Sequence, residues 1–230
     1  IIMATTYESL IPEIIPIVPS CPDSLIHQHI RSTVIDLCER SSIYQKELDP
    51  ITTVSSIYEY NFDAPSGTIV HKIVWAIYDG NVLEPVTSGL LEQRQRDWRN
   101  TTGTPEYIIK QNQENFWIVP VPSVSKTEGL ILRVALKPTH TSTSCDSTVM
   151  SDNRDAIVNG TLSRLLRIPS KDWSDPQSAS LYFTLYAEAT ATAEKRARLG
   201  DTAVAGKVNY GGIHSTRRSV KKYAGRRTFF

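Results

Sequence analysis

Cysteine is scarce in this chain: Cys21, Cys38 and Cys145 make an odd number, and no two of them form a CxxC pair. That excludes a disulfide framework and the paired-thiolate metal sites, and it fits a reducing compartment. Phosphate cradles of the GxxxxGK[ST] type, the dinucleotide motif GxGxxG, the zinc-protease motif HExxH and the nucleophile elbow GxSxG are also missing. The commonest nucleotide-, metal- and serine-dependent enzymes are thereby removed. There is no long apolar run either, because Pro12 and Pro16 interrupt Leu10 to Val18, Pro19 follows, and the first basic residue is Arg31. A membrane span needs about 20 apolar residues and a secretory signal needs a basic start, so neither is expected. The sequons at Asn100 and Asn159 are then chance, and Met3 is the expected start behind Ile1 and Ile2. No internal repeat is found.

The chain has 230 residues, 40% of them hydrophobic and 21% charged. That is enough to bury one large core or a domain with a sizeable insertion, and it lies away from the profile of disordered chains. The net charge of +1 hides an asymmetry. From residue 201 onward Lys207, Arg217, Arg218, Lys221, Lys222, Arg226 and Arg227 face Asp201 alone, a net of +6, while residues 1–200 carry −5. An acidic body with a basic tail points to a docking arm or a nucleic-acid contact.

Periodicity divides the chain. Ile26, Ile30, Val34 and Leu37 recur at helical spacing behind Asp23, which predicts a helix from there to about Arg40 with Asp23 as its cap. From Leu48 the pattern turns β-prone. Ile69, His71, Ile73, Trp75 and Ile77 alternate as one buried strand face, and Asp79-Gly80 supplies a hairpin turn. A short helix is expected at Thr87 to Trp98. Further strands are expected at Glu106–Lys110, Phe116–Val121 and Leu130–Lys137, the last with Leu130, Leu132, Val134 and Leu136 inward, for five or six in all. Helical spacing resumes from Val149 to Ile168, where Pro169 stops it. The final helix should run from Asp175-Pro176 to Gly200, with Tyr182, Leu185, Tyr186, Ala189 and Ala193 as its buried stripe.

The predicted class is therefore α+β: an α-helical bundle of one N-terminal and two C-terminal helices, an inserted β-rich subdomain and an extended C-terminal tail. The expected divisions are entry and first helix at 1–47, β-rich insertion at 48–140, two bundle helices at 141–200 and a basic docking tail at 201–230. Too polar for a core of its own, that tail is expected to order on a partner.

Residues able to carry chemistry have plainer roles to fill. His27 and His29, with Cys21 and Cys38, are metal-ligand types, but side chains two apart on a helix point to different faces, so no metal site and no cofactor is expected. His71 reads as a buried strand histidine. Asp152, Asp155, Asp172 and Asp175 lie near helix starts, where carboxylates complement the helix dipole. Arg94, Arg96 and Arg99 around Trp98 read as a solvated face with one anchor. No enzyme is expected. The tail alone has two functional readings. Its basic residues and aromatics can grip phosphates and stack on bases, or Arg217, Arg218, Lys221, Lys222, Tyr223, Arg226, Arg227, Phe229 and Phe230 can dock on a protein, since hot spots favour arginine and aromatics.

An ordered series of segments carries a family resemblance: LIPEIIPIVPSCPDSLI at 10–26, IDLCERSSIYQKELDPI at 35–51, FDAPSG at 62–67, VWAIYDGNVLEPVT at 74–87, DWRNTTGTPEYI at 97–108, IVPVP at 118–122, LRVALKPT at 132–139, LLRIPSKDWSDPQSA at 165–179 and RARLG at 196–200. Together they resemble the head-to-tail adaptor (connector) proteins of tailed bacteriophages, particularly podoviruses. The resemblance implies a ring of twelve copies beneath a dodecameric portal in the neck of the virion. The tail nozzle sits on the other face, and genomic DNA passes through the channel. It implies partners in the portal protein, the nozzle and other copies of the chain, no membrane, and portal docking for the nine tail residues named above. The basic tail is longer than in many of these adaptors.

Overall fold

The computed structural model describes residues 4–94 and 96–200. The compact unit is Ile1–Arg198, and the segment from Leu199 onward is a separate one. The entry comprises strand β1 (Ala4–Thr6), a 3-10 turn (Tyr7–Leu10) and the single-turn helix α1 (Ile11–Ile14). Tyr7, Leu10, Ile14 and Val18 are fully buried, so the proline-broken apolar run is core laid down turn by turn. Helix α2 (Asp23–Ser41) buries Ile26, Ile30, Val34 and Leu37 along the stripe read from the sequence. The capping expectation for Asp23 is corrected. Pro22 takes the cap position with extended backbone and Asp23 is the first helical residue, because proline has no N–H to lose there.

Strands β2 (Gln45–Glu47), β3 (Ile51–Thr53), β4 (Glu59–Asn61), β5 (Thr68–Tyr78), β6 (Asn81–Val82) and β7 (Glu84–Pro85) precede helix α3 (Ser88–Arg94). Then come β8 (Thr102–Gly103), β9 (Tyr107–Lys110), β10 (Asn115–Val119), β11 (Val121–Pro122), β12 (Lys126–Pro138) and β13 (Ser144–Asp146). The described residues thus hold thirteen strands rather than five or six. Most of the additional ones are two or three residues long, too short to leave a period of two. The main sheet has the order β2-β12-β5-β6, with β3 also on β12; a second has the order β4-β10-β9-β7. Two small ribbons, β1 with β13 and β11 with β8, complete the set.

The antiparallel pair β5 and β12 is the spine of the main sheet. On β12, Leu130, Leu132, Val134 and Leu136 are all buried, as their alternation predicts. On β5 the buried residues are Val70, Ile73, Ala76 and Tyr78, and the expected face of Ile69, His71, Trp75 and Ile77 is half-exposed. Pairing explains the difference. It steps from Arg133–Trp75 to Val134–Ile73 and from Ala135–Lys72 to Leu136–Val70, so Val74 and His71 are extra residues in bulges. Each bulge inverts the alternation once. The hairpin to β6 forms as predicted, with φ of 48° at Asp79 and 82° at Gly80, the left-handed pair of a type I′ turn.

The expected single helix after residue 149 is two, α4 (Ser147–Asp152) and α5 (Arg154–Leu165). Asn153 breaks it. Its side-chain amide donates 3.0 Å to the Val149 carbonyl, the acceptor its backbone N–H would use in a continuous helix, and its own carbonyl receives Ile157 N–H at 3.0 Å. Helix α6 (Pro176–Leu199) starts where predicted: the Asp175 carboxylate accepts from Gln177 and Ser178 N–H at 3.1 Å each. Hydrogen bonds from the Ser178 hydroxyl and from those two amides lower the Asp175 pKa. At Gly160 α5 lies close against both α2 and α6. A Cβ there would lie 2.5 Å from Thr33 Cγ2 of α2 and 2.8 Å from Tyr186 Cδ2 of α6. The architecture is mixed α+β, with one main core drawn from the entry, α2, the main sheet and the last helices.

Candidate assembly surfaces

Several of the polar side chains tie elements together. Asp36 on α2 accepts from Tyr186 Oη at 2.7 Å and Arg40 Nε at 3.0 Å, and lies 3.6 Å from Arg164. One carboxylate thereby ties α2 to α5 and α6. Burial, reinforced by Asp36, holds the Tyr186 phenol well above its ordinary value. Asp152 lies 3.6 Å from Arg196, and Glu39 pairs with Lys137. Asp155 sits in the first turn of α5, and Asp172 is exposed in the loop before α6, so neither joins Asp152 or Asp175 in a shared carboxylate pair.

His27 and His29 are half-buried on α2, and among the described residues no three His, Cys, Asp or Glu side chains gather to hold a metal. Burial, with Arg164 adding to it, lowers the His29 pKa. His71 rides in a bulge of β5, half-exposed; the expectation of a buried strand histidine is corrected by the register shift. All three thiols are buried: a hydrogen bond to Cys145 and burial hold Cys38 well above the usual range, and burial raises Cys21.

Trp98 is fully buried beyond α3, deeper than a surface anchor. Its indole N–H donates 3.0 Å to Glu92, which also receives Arg99 at 2.8 Å while the guanidinium lies 4.2 Å above the indole ring. Those two bonds lower the Glu92 pKa. Tyr58 and Trp117 meet Trp98 at ring separations of 5.6 and 5.3 Å, forming a second, smaller core with Leu91, Ile109 and Val119. Arg94 turns to Glu84 at 3.5 Å, so this arginine group is charge-paired apart from exposed Arg96.

The clefts are shallow. The one between the ends of α2 and α6 holds about 360 Å³ and is lined by Glu39, Arg40, His71, Lys72, Glu194 and Arg198. There Arg40 answers Asp36 and Arg198 answers Glu194.

Apolar surface is what stands open. Val54, Ile57 and Val124 are 44%, 45% and 59% exposed on two loops that bind each other: Ser56 N–H donates 2.9 Å to the Pro122 carbonyl and Ser55 N–H 2.9 Å to Ser125 Oγ. Tyr60 Oη sits within 3.0 to 3.1 Å of Val54 N, Val54 O and Ile57 O, pinning the tip. On α6, Leu181 is 61% and Leu185 40% exposed. The predicted stripe is corrected there: Ala179, Tyr186, Thr190 and Ala193 face the body, drawn in by the close approach at Gly160, and Leu185 falls on the flank. The tip was invisible in the sequence, since Val54 and Ile57 belong to a β-prone run and their exposure is decided by a loop some seventy residues away. The nine predicted tail residues, Arg217, Arg218, Lys221, Lys222, Tyr223, Arg226, Arg227, Phe229 and Phe230, lie outside the described residues.

A mixed α+β body with open apolar faces offers surfaces suited to contact with other proteins. A model of the SU10 adaptor protein family matches residues 5–207, and the chain belongs to that family, which makes it a structural adaptor of a phage virion. No curated protein matches it. No helix among the described residues is long and apolar enough to cross a membrane.

Proposed function

We propose that the chain is the ring-forming head-to-tail adaptor of a podovirus-like phage. Made in the host cytoplasm, it assembles under the portal as a ring of about twelve copies, the number the resemblance implies, receives the tail nozzle on the far face and continues the DNA channel. The observation that carries this is the adaptor-family match over residues 5–207. Ring closure is the outcome expected of head-to-tail contacts whose rotation closes. In this reading the N-terminal helix and the two C-terminal helices pack side by side around the ring, with the β-rich part inserted between them in sequence. Residues 201–230 dock on the portal, and that anchoring raises the local concentration of bodies until lateral contacts form. The net −5 of residues 1–200 suits a channel that repels sliding phosphates.

Light-scattering mass of the protein mixed with the portal from the same genome tests the proposal, comparing the full chain with one ending at Gly200. A gain of about twelve copies by the full chain alone is the expected result, the copy number being the one the resemblance implies. Failure of both forms to bind, with tight salt-sensitive binding to DNA instead, would replace it with a nucleic-acid-binding role for the basic tail.

A further inference from the structure

Both open apolar surfaces are built from stretches that carry no charged residue. Residues 50–58 and 115–125, which build the tip, contain no Asp, Glu, Lys or Arg, and neither does the first half of α6, residues 176–187. The second half of α6 carries Glu188, Glu194, Lys195, Arg196 and Arg198. Burying charge without a partner is costly, and the centres of protein interfaces are depleted of it. Surfaces that present only aliphatic and hydroxyl groups can therefore close on each other with nothing left unpaired. Neither of the two suits DNA, which needs cations.

The two surfaces also differ in shape. The tip is a knob of two loops joined by the Ser56–Pro122 and Ser55–Ser125 bonds, with Tyr60 bracing the first of them. The outer face of the first half of α6 is a shallow ledge on which Leu181 and Leu185 stand beside small exposed neighbours, Ser180 and Thr184, with exposed Glu188 one turn beyond. A knob and a ledge on the same chain are what a head-to-tail contact requires, because each copy then offers one surface to each neighbour. We propose that the tip carrying Val54, Ile57 and Val124 docks on the outer face of α6, around Leu181 and Leu185, of a second copy of this chain. The inference rests on the ring reading above and specifies its lateral contact. Five large side chains cover far less than the ~800 Å² per partner of a stable interface, so the contact forms when copies are held together on the portal and not between free chains.

Disulfide trapping on the portal-bound assembly tests it. The native thiols are buried, which leaves introduced ones as the reporters. With V124C and L185C on separate chains, mixed, added to the portal and oxidised, covalent dimers form; with both on one chain, a ladder of covalent multimers forms; either single variant alone stays uncross-linked. Both substitutions fall on exposed side chains, and as a second readout Val124→Asp lowers the number of copies retained per portal while leaving the unfolding temperature unchanged. An assembly of normal mass that gives no mixed cross-link, or in which V124C pairs with itself, overturns this inference and leaves the ring reading standing. If no assembly forms with the native chain, the ring reading falls and this contact with it.

Discussion

Asp36 shows how much can hang on one side chain. Removing the Tyr186 hydroxyl (Tyr186→Phe) keeps the ring that packs beside Gly160 and deletes only the 2.7 Å bond to this carboxylate. A hydrogen bond to a charged group contributes about 1.5–3 kcal/mol, and Arg40 and Arg164 remain to serve Asp36, so a loss near ~1.5 kcal/mol is expected in urea unfolding. His29 sets a pH dependence. Its folded pKa is pushed below the ordinary 6.5 by burial and Arg164. The unfolded chain therefore takes up the proton first as the pH falls, and stability present above pH 6.5 is lost as the pH drops through the folded value. The unfolding temperature should fall between pH 7 and pH 5, and His29→Gln should flatten that slope. An unchanged slope would remove His29 from the explanation.

Between elements, the decisive spacing is at Gly160. Ala is the better helix former by about 1 kcal/mol, so propensity alone predicts that Gly160→Ala stabilises the chain. A Cβ placed 2.5 Å from Thr33 and 2.8 Å from a tyrosine ring held by Asp36 has no flexible neighbour to displace, and overpacking costs about 1–3 kcal/mol. The second effect should win, giving a net loss of up to about 2 kcal/mol by chemical denaturation. Some elements were legible because a single pattern decides them. Leu130 to Leu136 alternate without interruption, and Asp175-Pro176 opens α6 where a cap and a first-turn proline belong. The misread ones share a cause. The bulges at His71 and Val74 and the break at Asn153 each depend on one residue departing from its neighbours' geometry, and a period averaged over ten residues does not register such a departure.

For the whole molecule, charge separates the body from the tail. Without residues 201–230 the chain carries −5, and DNA retention by that form at physiological salt should be negligible in a filter-binding assay. For the full chain, a tail gripping about six phosphates would give a slope near −5 in log affinity against log salt. Retention by the shortened form would place the DNA contact on the body instead. The adaptor class was legible in the ordered segments between Leu10 and Gly200, and the family match covers that span. The surfaces were not, because exposure belongs to the assembled fold. Leu185 fits a buried stripe by spacing and is turned outward by the way α6 leans on Gly160, and Val54 becomes a surface residue only when Pro122 and Ser125 clasp its loop.

The two bulges of β5 also constrain how the gene can change length. Between Val70 and Tyr78, insertion or deletion of one residue anywhere except at His71 or Val74 reverses which side chains reach the core beyond that point. Loss of either extra residue leaves every remaining pair with β12, and so every facing, as it is. Related chains aligned over this strand should therefore keep its length or gather any gaps at those two positions, while substitutions at both run freely.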